Sequence, residues 1–245
     1  MVSSSVKFLL NDQTLEIKNP DPNQTILNYI RTELKKTGTK EGCSEGGCGA
    51  CTIVLGELVG DEIKYSSINS CISFVPSLNG KQLLIVEDLV SKDGTLHPVQ
   101  DAMVKYHGSQ CGFCTPGFVM SLFSMFKNNK NYEIELIKDS ISGNLCRCTG
   151  YRPIIDAAKS LNKVEKKDEF SKNKSKVINL LKKINPKNIF INSENKKFFS
   201  PKTIKDLKSI IKKNSNLNFL AGGTDLSLKV TKERKEIPCI VNLKE

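Results

Sequence analysis

Eight of the nine cysteines in this chain fall into two groups of four, and this grouping constrains the fold more than any other feature. The first quartet follows a C-x4-C-x2-C pattern with a fourth cysteine further on: Cys43, Cys48, Cys51 and Cys71. The second quartet is a CxxC followed by a CxC: Cys111, Cys114, Cys146 and Cys148. The first spacing is that of plant-type [2Fe–2S] ferredoxins, and one binuclear cluster needs four thiolates. The sequence therefore predicts two clusters and a role in electron transfer.

Zinc held by four cysteines is the alternative for either quartet. The C-x4-C-x2-C spacing is not common in zinc fingers, so zinc is a stronger alternative for the second quartet than for the first. Four glycines crowd the first loop, which lets backbone N–H groups approach a negatively charged cluster. Cys114 and Cys148 stand near predicted helix starts, where the helix dipole favours negative charge. These features favour clusters over zinc.

The composition argues against export and against a membrane. The start, MVSSSVKFLLNDQ, lacks the apolar stretch of a secretory signal. No segment approaches the roughly 18–20 apolar residues that cross a bilayer. Nine cysteines without an export signal favour metal binding over a disulfide framework. We therefore expect a cytoplasmic protein.

The net charge of +11 comes from one part of the chain. Residues 159–213 carry 17 lysines and 5 acidic side chains, whereas residues 1–158 carry 15 basic and 17 acidic ones. The lysine-rich stretch shows no nucleic-acid motif and few aromatic residues. We interpret it as a solvated linker and expect no nucleic-acid partner.

The first half reads as strands with one helix. Val6–Leu10 and Thr14–Ile17 are predicted strands joined by a tight turn. A helix is expected after Thr25, and further strands at Thr52–Leu55 and Leu83–Val86. This pattern, with a cysteine-bearing loop, predicts a β-grasp ferredoxin module.

The second half reads as four short helices. They are expected from Pro98 to about Gly108, from Thr115, over Ile134–Ile141, and over Pro153–Ala158. We expect a four-helix bundle that folds separately from the first half, around a core of its own. His97 and His107 flank the first of these helices, and caps or surface groups are favoured over metal ligands for both. Cys239 lies outside the quartets and is expected to be an ordinary thiol.

Three long segments carry a family resemblance: GTKEGCSEGGCGACT (38–52), LHPVQDAMVKYHGSQCGFCTPGFVMS (96–121) and GNLCRCTGYRPI (143–154). They resemble the iron–sulfur portion of the xanthine dehydrogenase and aldehyde oxidase family of molybdenum hydroxylases. With FLAGGTDLSLKVTKERKEIPCIVNL (219–243), the similarity is greatest to separate small subunits of the xanthine dehydrogenase type, whose role is in purine catabolism. The resemblance covers about residues 5–158 and 197–245.

The resemblance implies specific roles. The first quartet would hold the cluster nearer FAD, and the second the cluster nearer a molybdenum–pterin cofactor in a partner large subunit. Positions matching Gln110 and Cys148 lie near the pterin in relatives, so this surface should contact that subunit. Electrons would pass through both clusters to FAD and then to NAD+. The chain is thus expected to be an oxidoreductase subunit with no catalytic residue of its own.

The resemblance also implies a flavin phosphate loop made of Leu220, Ala221, Gly222, Gly223, Thr224, Asp225 and Leu226. A plain turn is the alternative, since Gly-Gly is a common turn signal. These residues match only the start of the family's flavin domain, so we expect an incomplete FAD site. We expect the chain alone to bind FAD weakly or not at all, with residues 197–245 loosely ordered, unless a second chain completes the domain.

The predicted fold is therefore α+β and multidomain. Residues 1–85 form a β-grasp [2Fe–2S] ferredoxin domain and 86–160 a four-helix-bundle [2Fe–2S] domain. Residues 161–196 form a lysine-rich linker, and 197–245 the truncated start of an α+β FAD-binding domain. Two other functions remain open: an iron–sulfur subunit of an aldehyde, carbon monoxide or aromatic-heterocycle hydroxylase, and a zinc module with a basic arm.

Overall fold

The computed structural model describes residues 4–184 and 188–243. No helix within those ranges is both long enough and apolar enough to cross a bilayer.

The first domain is built on a five-stranded mixed sheet with the order β2-β1-β5-β3-β4. Its strands are β1 (Ser5–Leu10), β2 (Gln13–Lys18), β3 (Thr52–Val59), β4 (Glu62–Asn69) and β5 (Gln82–Leu84). β1 and β5 run parallel, and the other neighbours are antiparallel. A short helix, α1 (Ile26–Asn28), continues as a π-helical turn over Tyr29–Glu33. The first three predicted strands are confirmed, whereas the fourth, predicted over Leu83–Val86, ends at Leu84 because Val86 begins a 3-10 helix. Strand β4 is an addition that the sequence analysis missed.

Thr25 begins the helix as predicted. Its hydroxyl accepts the N–H of Asn28 at 3.1 Å, which satisfies one of the free donors at a helix start. Ile26 and Ile30 are fully buried against the sheet. The chain then enters the loop that carries three of the first quartet's thiols.

Four helices form the second domain: α2 (Pro98–Lys105), α3 (Thr115–Asn128), α4 (Ile134–Ile141) and α5 (Arg152–Ser160). All four predicted helices are confirmed. The central helix α3 is buried on every side from Gly117 to Phe126, as expected for a helix that is apolar all round.

The prediction of two separate cores is wrong. The core around α3 also takes side chains from four strands of the ferredoxin sheet, including Leu9, Val54 and Tyr65. Ser124 Oγ of α3 donates to the carbonyl of Tyr65 at 3.0 Å. The helical domain therefore shares its core with part of the ferredoxin sheet, because α3 packs directly on β3 and β4, while a second core holds the other ferredoxin-domain side chains.

The interpretation of residues 161–196 as a solvated linker is also wrong. This segment forms α6 (Glu169–Lys172), α7 (Lys174–Ile184) and the strand β6 (Ile189–Ser193). Phe170, Val177 and Leu181 are buried in the shared core. Lysines on the outer side of α7 pair with acidic side chains of the ferredoxin sheet, as in the 2.6 Å contact of Lys176 with Asp12. The high lysine content led to the prediction of a solvated linker, whereas the few apolar side chains of the segment determine where it packs.

The C-terminal lobe, residues 188–243, contains a four-stranded sheet with the order β6-β7-β9-β8. Its further elements are β7 (Lys196–Ser200), α8 (Ile204–Lys213), β8 (Asn218–Leu220), α9 (Leu228–Thr231) and β9 (Cys239–Asn242). β9 is parallel to both of its neighbours. Ile191, Phe198 and Ile240 are fully buried in one core with ferredoxin-domain side chains. The expectation of a loosely ordered segment is not met, since the ferredoxin domain supplies the apolar partners.

Candidate iron–sulfur centres

The first quartet lies at one end of the ferredoxin sheet. Cys43, Cys48 and Cys51 are on the loop before β3, and Cys71 follows β4. The Sγ atoms of Cys51 and Cys71 are 3.3 Å apart. Cys43 and Cys48 are within hydrogen-bond contact of each other. The fold therefore brings together all four predicted ligands, as two neighbouring pairs.

Backbone N–H groups point at the sulfur of Cys43. The N–H groups of Gly47 and Cys48 each donate to Cys43 Sγ at 3.3 Å. Burial alone would raise the pKa of Cys43, but these and neighbouring backbone donors lower it. A Cβ on Gly42 would come within 2.8 Å of Cys48 Sγ, so only glycine leaves this thiol its present space. Such donors are those that steady thiolates bound to an iron–sulfur cluster.

The inner pair of thiols is mostly buried. The hydrogen bond with Cys71 lowers the pKa of Cys51 to about 7. The same contact, with burial, raises the pKa of Cys71. One thiol of the pair is thus prepared to lose its proton before the other, and a bound metal would take both as thiolates.

The second quartet also divides into two pairs. Cys114, directly before α3, contacts Cys146, and Cys111 contacts Cys148. Cys111 and Cys148 are exposed, whereas Cys114 and Cys146 are half-buried. Burial raises the pKa of Cys114 to about 12. The prediction of a helix start holds for Cys114, but Cys148 lies four residues before α5 begins at Arg152.

Thr149 and Tyr151, which follow Cys148, shape the loop of the second quartet. The hydroxyl of Tyr151 accepts the N–H of Cys146 at 2.9 Å. Thr149 contacts the sulfur of the same cysteine, with its Oγ1 3.2 Å from Cys146 Sγ. A cavity of about 460 Å³ opens next to the four thiols and is lined in part by Phe113 and Leu145. These two side chains are 48% and 57% exposed, which leaves an apolar rim around the thiols.

The paired arrangement fits a binuclear cluster. In such a cluster each of two irons takes two of the four cysteines, so two pairs are the donor set it needs. A single zinc ion would draw all four sulfurs around one point. The thiols present therefore fit [2Fe–2S] clusters at both positions.

The loops of the two quartets touch. The N–H of Leu145, next to Cys146, donates to the carbonyl of Cys48 at 2.9 Å. The buried side chain of Asn144 donates to the carbonyl of Gly49 at 3.0 Å. Cys48 of the first quartet is thus hydrogen-bonded to Leu145, the residue directly before Cys146 of the second quartet.

The glycine loop of the C-terminal lobe lies beside the residue that follows Cys71. Gly222 and Gly223 have φ values of 90° and 86°, which favour glycine. Ser227, just beyond the loop, donates to the carbonyl of Ile72 at 2.7 Å, and Ile72 follows Cys71. A Cβ on Gly222 would meet nothing within 4 Å, so the backbone at this point is open to a ligand.

Residues outside the quartets behave as expected or add support. His97 caps α2 by accepting the N–H of Val99, and His107 is exposed. Cys239 is buried in β9. Asn144 and Ser121 were missed, because a buried asparagine in a loop has no sequence signal that separates it from a turn residue.

Comparisons with known proteins agree with this geometry. Residues 8–76 match the model of the 2Fe-2S iron-sulfur cluster binding domain. Residues 85–159 match the model of a [2Fe-2S] binding domain. The chain therefore contains two [2Fe–2S] binding domains, one around each quartet.

Two curated relatives have informative names. Xanthine dehydrogenase of Blastobotrys adeninivorans is 48% identical over 163 residues, which are 65% of this chain and 12% of that protein. Aldehyde oxidase of Homo sapiens is 43% identical over 163 residues, or 66% of this chain and 12% of that protein. Over its iron–sulfur region, this chain is similar to these xanthine dehydrogenase and aldehyde oxidase proteins. It spans about an eighth of the length of these relatives.

Solved structures of the same kind match in fold. Quinoline 2-oxidoreductase from Pseudomonas putida 86 aligns with a TM-score of 0.53 and 27% identity, covering 74% of this chain and 98% of that one. The aldehyde oxidoreductase from Desulfovibrio gigas aligns with a TM-score of 0.57 and 30% identity, covering 65% of this chain and 17% of that one. These two solved structures thus share the fold of about two thirds to three quarters of this chain.

Proposed function

We propose that this chain is the electron-transfer part of a molybdenum hydroxylase, with xanthine dehydrogenase as the assembled enzyme. In this proposal the substrate is hydroxylated at a molybdenum–pterin cofactor on a partner subunit. Electrons then leave through the second and the first quartet toward FAD and NAD+. Each bound [2Fe–2S] cluster would accept and pass on one electron at a time.

The order of the three sites carries the proposal. Leu145, in the loop of the second quartet, donates to the carbonyl of Cys48 in the first quartet. Ser227, next to the glycine loop, donates to the carbonyl of Ile72, which follows Cys71 of the first quartet. The loops of the first quartet therefore contact the neighbourhood of both other sites. A chain of redox centres needs such an order, because electrons must enter at one end and leave at the other.

The exposure of the thiols supports the position of the partner. Cys111 and Cys148 are exposed, as is Gln110, whereas Cys51 and Cys71 are buried. Phe113 and Leu145 add exposed apolar area beside them. A fully buried apolar centre with a polar rim is typical of stable interfaces between proteins. We assign the contact with the molybdenum subunit to this face.

The residues of this chain have holding and orienting roles in the proposal. The eight quartet cysteines would provide thiolates, and the N–H groups of Gly47 and Cys48 would steady the first set. Gly222 and Gly223 would turn backbone N–H groups toward the flavin pyrophosphate. No side chain is assigned as a catalytic acid or base.

Metal analysis tests the proposal directly. The purified chain should be red-brown and contain about four irons and four sulfides per molecule, as two binuclear clusters require. Dithionite should bleach the colour and produce two electron paramagnetic resonance signals. Stoichiometric zinc without visible absorbance would refute the proposal and favour a zinc module.

The substrate is tested on the assembled complex. The protein would be purified with its native partner subunit, and xanthine, an aldehyde and quinoline would be compared as electron donors. Turnover of xanthine supports the proposed enzyme. Turnover of the aldehyde or of quinoline alone would keep the electron-transfer role and replace the substrate.

A further inference from the structure

The side chain of Asn144 joins the loops of the two quartets through hydrogen bonds. It is 3% exposed and lies two residues before Cys146. Its Nδ2 donates to the carbonyl of Gly49, at 3.0 Å, and contacts Thr52 Oγ1 at 3.2 Å. Gly49 lies between Cys48 and Cys51. One amide thus joins the backbone of one cluster loop to that of the other.

The amide is held in one orientation. Ser121 Oγ, on the buried helix α3, donates to Asn144 Oδ1 at 2.6 Å. Because the oxygen accepts this bond, the nitrogen must face Gly49 and Thr52. Ser121 and Asn144 therefore form a relay from the core of the helical domain to the first quartet's loop.

The surrounding backbone has no room to adjust. A Cβ on Gly49 would come within 2.2 Å of the Gly143 carbonyl, and a Cβ on Gly117 within 2.1 Å of the Gly49 carbonyl. The loop of the first quartet is thus pressed against α3 and against the 143–145 turn. The amide of Asn144 fixes how these three backbones meet.

We infer that Asn144 is a positioning residue that sets the spacing and relative orientation of the two iron–sulfur sites, and through them the electron exchange between the sites. This inference rests on the proposed function, since it requires a cluster at each quartet. Asn144 touches no reacting atom. It acts through the Gly49 carbonyl and through its neighbour Leu145, whose N–H bonds to Cys48.

Asn144→Ala should still fold. The Gly49 carbonyl keeps the N–H and the hydroxyl of Thr52 as donors, at 3.1 and 2.7 Å. The variant therefore leaves this carbonyl paired and removes the side-chain link between the loops, while the Leu145–Cys48 bond stays and the Ser121 hydroxyl loses its acceptor. Ser121→Ala is a second, milder variant, because it keeps the Nδ2 contacts and removes only the anchor of the amide.

Asn23→Ala is the matched control. Asn23 is also a buried asparagine that joins two parts of the chain, with both amide atoms bonded to Ile237 at 3.1 and 2.7 Å. It links the ferredoxin domain to the C-terminal lobe and not to the second quartet. A purely structural effect of losing a buried amide should thus occur equally in this control.

The experiment compares the unmodified full-length chain with the three variants after iron and sulfide analysis. Electron paramagnetic resonance of the fully reduced proteins measures the spin–spin splitting between the two centres, and rapid partial reduction measures electron exchange between them. We expect Asn144→Ala to retain its iron, to change the splitting and to slow the exchange. Ser121→Ala should change both in the same direction and by less, and Asn23→Ala should match the unmodified chain.

Each other outcome has a defined meaning. Unchanged splitting and exchange in Asn144→Ala would overturn the inference while leaving the proposed function intact. If Asn144→Ala does not fold, unchanged values in Ser121→Ala would overturn it instead. Equal changes in Asn23→Ala would also overturn it, because the effect would be general. Absence of both signals from the unmodified chain would refute the proposed function and this inference with it.

Discussion

His97 Nε2 lies 3.0 Å from Asp168 Oδ2, and both side chains are almost fully buried. The Nδ1 of the same ring accepts the N–H of Val99, so Nε2 must carry the hydrogen and donate it to the carboxylate. Lys127 adds two further contacts to Asp168, at 2.8 and 2.9 Å. This cluster joins the start of α2 and the end of α3 to the start of α6. It explains why the lysine-rich segment docks on the core.

Asp168→Asn should therefore destabilise the protein at neutral pH by about 3–5 kcal/mol, the range for removing one partner from a buried ion pair. Burial alone would raise the pKa of Asp168, but the hydrogen bonds from His97 and Lys127 hold that pKa well below its usual 3.8. Because the folded pKa is lowered, this stabilisation is present above about pH 4 and is lost in stronger acid. The variant's urea midpoint should therefore lie below that of the unmodified protein by the same amount at every pH between 5 and 8.

Glu169→Gln is the control for this prediction. Glu169 pairs with Lys172 one turn along the same helix, but both side chains are largely exposed. Exposed pairs contribute little, so the midpoint should barely move. An equal loss in both variants would mean that the charge of α6, and not the buried cluster, holds the segment.

Gly117→Ala should destabilise the contact between the two cluster domains. The added methyl would lie 2.1 Å from the Gly49 carbonyl, which is backbone and cannot move aside cheaply. Inserting atoms into such a contact costs about 1–3 kcal/mol. The urea midpoint of the purified chain measures the loss. Gly143→Ala is the matched control, because a Cβ there meets nothing within 4 Å, and a comparable loss in both would point to helix or loop propensity instead.

Cys51→Ser should remove the resonance signal of the first centre, and Cys146→Ser that of the second. Each substitution takes one thiolate from one quartet, and serine binds iron more weakly. Because the loops touch through Leu145 and Cys48, the remaining signal should shift slightly while keeping its intensity. If either variant lost both signals while remaining folded, the division into quartets would be wrong. Cys239→Ser, outside both quartets, should leave both signals unchanged.

The sequence was sufficient where a local rule decides the structure. Helix α2 begins at Pro98 after the cap His97, and α4 covers the predicted Ile134–Ile141. Capping, proline at the first turn and the spacing of apolar residues all act within a few positions. The grouping of the cysteines followed from their spacing for the same reason.

The remaining features depend on contacts between distant parts of the chain. Strand β4 alternates between exposed and buried residues only in its first half, where Ile63 and Tyr65 are buried. Its remaining residues are mostly polar, so the sequence pattern did not predict a strand. The lysine-rich segment docks through Phe170 and through Asp168, whose partners lie 41 and 71 residues away. The division of each quartet into pairs, and the link through Asn144, also require the folded arrangement. Composition averages over such single contacts and cannot report them.

The last prediction concerns Asp88, which follows the last strand of the ferredoxin sheet. Burial raises the pKa of its carboxyl to about 6, although the carboxylate accepts the N–H of Ile85 at 2.9 Å. Since the folded pKa lies above the usual 3.8, the folded state holds this proton more tightly than the unfolded state does. Ionised Asp88 therefore lowers the free energy of unfolding at neutral pH.

Asp88→Asn should stabilise the protein, because the amide oxygen can still accept from Ile85 and carries no charge to bury. A gain of about 1–2 kcal/mol is expected at pH 8, after allowance for partial exposure. The gain should grow as the pH rises from 4 to about 6 and level off above 7. Urea midpoints of both proteins across this range measure it. Asp93→Asn is the opposing control, since the N–H of Thr95 lowers the pKa of that exposed carboxyl and its removal should bring no gain. A gain for Asp88→Asn that is independent of pH would show that packing, and not the buried charge, is responsible.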